Sequence, residues 1–372
     1  MASRCRIAIS VGLLFLSAVS PAFPFLEANI TFGSSKEIRK YRRIQSRLIW
    51  LNKPSLRTFQ ACSISPDGDI IDCVPSHLQP AFDHPLLKGQ TPLDPPERPR
   101  GHWRTDFAEE ESFQLWRITG EFCPEETIPI RRTREEDILR ANSHAVGYVS
   151  GDQYFGAKGS LNVWAPNVKS SSEFSLSQIW VISGSFGEDL NTIEAGWQTD
   201  AYQATGCYNL LCSGFVQTNN RIAIGAAIRP TSAYAGGQYD ISVLIWKDPN
   251  HGNWWLELGA GELVGYWPSL LFSHLADHAS MLQFGGEVVN TEPSGFHTST
   301  EMGSGHFAGE GFGRASYFRN LQLVDWDNSL VPVAGLRLLA DRPGCYDIQG
   351  GVNGVWGNYF YYGGPGRNTR CP

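Results

Sequence analysis

The apolar positions of this 372-residue chain change rhythm roughly 140 residues in. Ile38, Tyr41, Ile44, Leu48 and Leu51 recur at intervals of three and four until Pro54 ends the pattern, and Ser34-Ser35-Lys36-Glu37 places a capping box ahead of them. The spacing predicts one amphipathic helix, with Lys36, Arg39, Lys40, Arg42, Arg43 and Arg47 on its other face. Residues 75 to 99 contain seven prolines and read as an extended connector. From about His144 onward, short runs alternate apolar and polar residues between clusters of Gly, Asn and Pro, which is the period of antiparallel strands. Residues 178–183, 193–198, 239–247, 254–258, 286–290 and 298–302 are the candidate strands. The fold class expected is therefore all-β, preceded by a small α+β segment.

Composition agrees with that reading. The chain has 39 Gly and 22 Pro with 12 Trp, 13 Tyr and 20 Phe, a balance that favours turn-rich, aromatic-packed strands. A net charge of -7 without a dominant basic face argues against nucleic acid as a partner. The charge is unevenly placed: residues 144–372 carry 11 Lys and Arg against 19 Asp and Glu, a net of -8, whereas residues 23–143 carry 17 against 18, a net of -1.

Arg4 and Arg6, the apolar run from Ile7 to Val19, and the small residues Ser20 and Ala22 form the pattern of a secretory signal peptide over residues 1–22. That run is too short for the ~20 residues of a membrane span. The expectation is a secreted protein, extracellular or vacuolar, made in an oxidising compartment and without a membrane partner. Spacing suggests three local disulfides, Cys62–Cys73 around a Pro66-Asp67-Gly68 turn, Cys207–Cys212 and Cys345–Cys371, with Cys123 left single. Asn29-Ile30-Thr31 is a glycosylation sequon. His274 and His278 stand at i, i+4 but read as an exposed turn of helix; zinc spacings are absent, and no cofactor is expected.

Carboxylates offer the clearest chemistry. In Asn191-Thr-Ile-Glu-Ala-Gly-Trp197, strand alternation sets Ile193, Ala195 and Trp197 on one face and Glu194 on the other, between Thr192 and Gly196. In Ser299-Thr-Glu-Met-Gly-Ser-Gly305, the same alternation sets Glu301 with Ser299 and Gly303. Two such Glu suit the floor of a concave sheet, and a carboxylate pair divides acid and base work when its environments separate the two pKa values. His297 and His306 bracket Glu301 and read as structural residues. Tyr208, Tyr239, Trp255 and Trp267 are candidate walls for an aromatic pocket.

Longer motifs carry a family resemblance. Phe82-Asp-His-Pro-Leu-Leu-Lys88, with the segment spanning Cys62 and Cys73, resembles the neprosin activation domain. His144-Ala-Val-Gly-Tyr148, Ile193-Glu-Ala-Gly-Trp197, Asp200-Ala-Tyr-Gln-Ala-Thr-Gly-Cys-Tyr-Asn209, Tyr239-Asp-Ile, His297-Thr-Ser-Thr-Glu-Met-Gly-Ser-Gly-His-Phe307 and Gly344-Cys-Tyr-Asp347 resemble the catalytic domain of neprosin, a plant glutamic peptidase. The resemblance implies a secreted zymogen with an activation pro-domain over 23–143 and a sandwich of two antiparallel sheets over 144–372. It further implies cleavage of proline-containing peptides by a Glu pair, carried over by motif as Glu194 and Glu301. In relatives a turn and a strand lie between the Glu-Ala-Gly-Trp-Gln and Asp-Ala-Tyr-Gln motifs, whereas only Thr199 separates Gln198 from Asp200 here: either the gene model has lost a segment, or the sandwich has a gap with an exposed edge beside Glu194. That gap keeps two other readings open, a catalytically inactive relative and a carbohydrate-active or wall-binding sandwich.

The charge split adds an expectation about regulation. A monomer is expected, whose basic pro-domain helix covers the carboxylate cleft as an intramolecular inhibitor. Acid would weaken that attraction and expose residues 123–143, where Pro124 and Pro129 lie, to self-cleavage.

Overall fold

The computed structural model describes residues 62–102, 114–118, 122–132, 142–170, 173–185, 189–199, 210, 213–292 and 296–372. The signal peptide, Asn29, the basic helix, Tyr208 and the Cys207–Cys212 pair lie outside the described residues.

Strands β1 (Cys62–Ile64), β2 (Ile70–Pro75) and β3 (Thr127–Arg131) form a small antiparallel sheet. The β1–β2 hairpin turns through Pro66-Asp67-Gly68, where Gly68 adopts a φ of +85° that favours glycine. Next along the chain come β4 (Asn142–Tyr154), β5 (Gly156–Asn162), β6 (Ser175–Ser183), β7 (Asn191–Thr199), β8 (Val216–Gln217), β9 (Asp240–Lys247), β10 (Trp254–Leu258) and β11 (Glu262–Trp267). They are followed by β12 (Ala279–Val289), β13 (Ser316–Val324), β14 (Leu330–Pro332), β15 (Arg337–Ala340), β16 (Asp347–Asn353) and β17 (Gly357–Gly363). One sheet runs β15-β4-β12-β6-β7 and the other β16-β17-β13-β5-β9-β10-β11-β8, with β14 beside β13; every pairing is antiparallel.

The period-two pattern explains how the sheets face each other. Ala145, Val149, Ile179, Val181, Ile193, Trp197, Leu282 and Phe284 of the five-stranded sheet meet Leu161, Val243, Ile245, Trp254, Leu256, Phe318 and Phe360 of the nine-stranded sheet in one buried core. The all-β sandwich expected from the sequence is the observed architecture. Residues 298–302 do not form a strand: the Glu301 and Met302 amides donate to the Asn167 and Gly364 carbonyls, and the Arg367 amide to the Thr298 carbonyl, so the backbone there is satisfied by loops. The candidate strand 286–290 is the end of the longer β12.

Two cysteine expectations are corrected. Cys73 bonds Cys123, not Cys62, and so Cys123 is not single. The register pairs Cys62 with Asp72, and an offset of one residue turns Cys73 to the opposite face of the hairpin. There it closes a link to a residue 50 positions away. Cys345–Cys371 forms as the spacing suggested.

Residues 79–102 lie on the outer face of the nine-stranded sheet, whereas Ile71 of β2 and Trp116 pack on Ala223 and Ala226 in the loop after β8. Ala81 and Leu87 pack on Val216, Leu244, Trp246, Trp255, Tyr266 and Val324, the residues that alternate with the core set. The Trp246 indole N–H donates to the Glu97 carbonyl at 3.0 Å. Arg98 reaches Glu257 (Nε–Oε2 2.6 Å), and His102 Nε2 stands 2.9 Å from the other oxygen of that carboxylate. Glutamines fasten the remainder: the Gln217 amide donates to Gln79 Oε1, Gln79 Nε2 returns a bond to the Gln217 carbonyl, and Gln114 brackets the Ala223 amide and carbonyl in the same way. Residues 75–99, read from the sequence as a connector, thus belong to a strap that runs on to His102 and is docked on the sheet.

Candidate active site

Glu194 sits on β7, the terminal strand of its sheet among the described residues; the chain that follows Thr199, where the gap was expected, lies outside them. Its neighbours Ile193 and Trp197 point into the core, so Glu194 points to the outer face, in register with Trp180 of β6. One residue pair along, Gly196 faces Gln178, and a Cβ at Gly196 would stand 2.0 Å from the Ser177 carbonyl oxygen. Glycine therefore allows β6 and β7 to close up, and the Gln178 side-chain amide donates to Glu194 Oε2 at 2.8 Å. Glu194 is half-buried.

Glu301 is also half-buried, and it lies in the loop after β12. The Asn167 backbone N–H donates to its Oε2 at 2.8 Å, while the Glu301 N–H donates to the Asn167 carbonyl at 2.9 Å. Gly305, at φ +78°, packs beneath the carboxylate, and a Cβ there would lie 2.7 Å from Glu301 Cδ. No hydrogen bond joins Glu194 to Glu301 among the described residues. One stretch of chain touches both surroundings: Trp197 of β7 donates its indole N–H to the Asn162 carbonyl at 2.9 Å, and five residues later Asn167 grips Glu301.

The outer face of the five-stranded sheet holds another titratable cluster that the sequence did not single out. His144 of β4 faces Glu287 of β12 in register, with Nε2 3.6 Å from Glu287 Oε2 and Nδ1 2.9 Å from Asp341 Oδ2. Burial alone would lower the imidazole pKa, but hydrogen bonds to and the charges of Glu287 and Asp341 outweigh it and raise the value to about 9. A raised histidine stabilises the fold fully below its ordinary pKa of ~6.5, and that contribution is lost as pH climbs through the folded value. The thermal midpoint should accordingly fall between about pH 6.5 and pH 9 in the native protein, and this decline should flatten in His144→Gln. Parallel pH profiles for the two proteins would exclude the cluster as the cause.

Other expectations resolve plainly. His274 and His278 stand in a turn, not a helix, and face Asp189 and Asp277 respectively. His297 is buried against Tyr346 and within 3.3 Å of the Ser143 hydroxyl, and the half-exposed His306 pairs with Glu310. Trp255 is not a pocket wall, being buried under the strap beside Tyr266, and Trp267 packs edge-on against Phe215. Tyr239 does line a cavity of about 260 Å³, together with Asp240 and Arg319, but neither Glu194 nor Glu301 does. His297, Cys345 and Cys371 cluster closely enough to suggest metal ligation, yet the two cysteines are joined as a disulfide and have no thiolate to offer.

The neprosin family model matches residues 171–365, and that of the neprosin activation peptide matches residues 63–184. The chain belongs to the neprosin family. Its activation-peptide match includes the strap and continues through β4 and β5 into β6. Among solved structures, the chain is similar to SCP-B, described as a member of the eqolisin family of peptidases in a complex with the tripeptide Ala-Ile-His. The identity is 11%, the TM-score 0.32, and the match covers 60% of this chain and 98% of that one.

Proposed function

We propose that this neprosin-family chain is a secreted zymogen of a glutamic endopeptidase that cuts beside proline, with Glu194 and Glu301 as its catalytic pair. The observation that carries the reading is that each carboxylate is oriented by an amide donor, Gln178 Nε2 for Glu194 and the Asn167 backbone N–H for Glu301. Oriented carboxylates suit acid–base work on a peptide bond. One, ionised, takes a proton from water as it attacks the scissile carbonyl; the other, protonated, polarises that carbonyl and then passes its proton to the leaving nitrogen. Acid supplies the proton that the second carboxylate must carry into the reaction. Preference for proline rests on the motif resemblance, as does the role of the N-terminal region as an inhibitor.

Purified full-length protein held at about pH 3 to 4, near the ordinary carboxylate range, tests the reading against a proline-containing peptide, its proline-free counterpart and a glycan panel. Cleavage confined to the proline peptide is expected. Hydrolysis of a glycan, or of no substrate after the N-terminal region has been removed, would sink it.

A further inference from the structure

Glu173 is completely buried, and a carboxylate in that setting is costly unless hydrogen bonds compensate it. The donors come from the segment that leads into Glu301. Thr291 gives its backbone N–H (3.0 Å) and its hydroxyl (3.1 Å) to Oε1, Thr298 gives its hydroxyl to Oε2 at 2.5 Å, and the Thr300 hydroxyl donates to the same oxygen. Thr298 and Thr300 are both fully buried, whereas the intervening Ser299 is exposed. In extended chain, turning these two hydroxyls inward turns Ser299 and Glu301 the other way.

The same carboxylate also governs the loop that holds Glu301. With its proton directed at Glu173, the Thr300 oxygen is left to accept the Lys169 backbone N–H at 3.0 Å. Lys169 is two residues beyond Asn167, whose N–H grips Glu301 Oε2. The Tyr346 hydroxyl donates to the Thr300 carbonyl at 2.8 Å, and Gly366 approaches so closely that a Cβ there would stand 2.4 Å from the Thr298 carbonyl oxygen. Little slack remains in the chain between the buried anchor and the candidate catalytic group.

We propose that Glu173 is a positioning residue for Glu301, fixing both the face on which Glu301 stands and the loop that orients its carboxylate. The role rests on the peptidase reading of Glu194 and Glu301. The test compares the acid-processed native protein with Glu173→Gln, Thr300→Val and Thr300→Ser on a proline-containing peptide across pH. Because a ~1 Å misplacement costs on the order of 100-fold, Glu173→Gln and Thr300→Val should lose roughly 10- to 100-fold in kcat/KM and shift the pH–rate profile. Thr300→Ser keeps the hydroxyl and should keep both. A variant that is merely less folded would lower its profile without moving it. That result, or equal kinetics for Thr300→Val and Thr300→Ser, overturns the proposal. Should Glu173→Gln fail to fold, the two Thr300 variants decide alone. A native protein that cleaves no peptide overturns the peptidase reading and this role together, whereas a cleaving native protein with unmoved variants overturns only the role.

Discussion

Glu194→Gln and Glu301→Gln should each abolish peptide cleavage while leaving the thermal midpoint close to that of the native protein. Glutamine keeps the shape of either side chain and can still accept from the Gln178 or Asn167 amide through its oxygen. It can neither hold the charge that draws a proton from water nor exchange a proton with the leaving nitrogen. General acid–base groups contribute roughly 100- to 10,000-fold, so kcat/KM should fall by that much in each variant. Loss of the second residue should add little once the first is gone, because two groups passing one proton act as a unit. Near-native turnover in either single variant would remove that residue from the mechanism.

The second large effect concerns the strap. Glu257 is only 3% exposed, and Arg98 and His102 close over it. Burial opposes its charge, but hydrogen bonds and attraction from His102 and Arg98 prevail and hold its carboxyl below the usual carboxylate range. A depressed carboxylate stabilises above its unfolded pKa of ~4.3, and that stabilisation is lost as pH falls through the lower folded value. The strap should therefore stay docked at pH 5 and loosen only below about pH 4, a more acid threshold than the charge split alone suggests. Glu257→Gln takes the charged partner from Arg98, and breaking one side of a buried pair costs about 3–5 kcal/mol. Backbone amides of residues 80–100 should then exchange with solvent at neutral pH as the native protein does only in strong acid. Unchanged protection in the variant would mean that the apolar contacts of Ala81 and Leu87 hold the strap without the ion pairs.

What the sequence made legible follows from the range over which each feature is encoded. Alternation is local, so β7 and the outward direction of Glu194 are legible from Ile193, Ala195 and Trp197 alone. The stretch from Thr298 to Met302 has the same alternation and β-branched residues, yet its backbone partners are Asn167, Gly364 and Arg367, far off in the chain and unsignalled nearby. The alternation survived there although the strand did not, and for that reason Thr298 and Thr300 still share a side. Cys73 found Cys123 because hairpin register, not nearness in sequence, decides which face a side chain takes. Residues 75–99 looked like a spacer because prolines hide the signal: Ala81, Leu87 and Arg98 follow no helical or strand period, although each is spoken for in the folded chain. Glu287 and Asp341 gave no hint of His144 between them, since only the pairing of β4 with β12 and β15 assembles the three.

Neither disulfide among the described residues crosses from the segment before β4 to the one after it: Cys73–Cys123 closes within the first and Cys345–Cys371 within the second. After a single cut between residues 132 and 142, neither of these two bonds would join the strap to its sheet. Before the cut the strap meets its own sheet at the millimolar effective concentration typical of a short tether; afterwards it competes with its own dilution. Severing and unbinding become separate events, and how crowded the protein is decides how long the second waits upon the first.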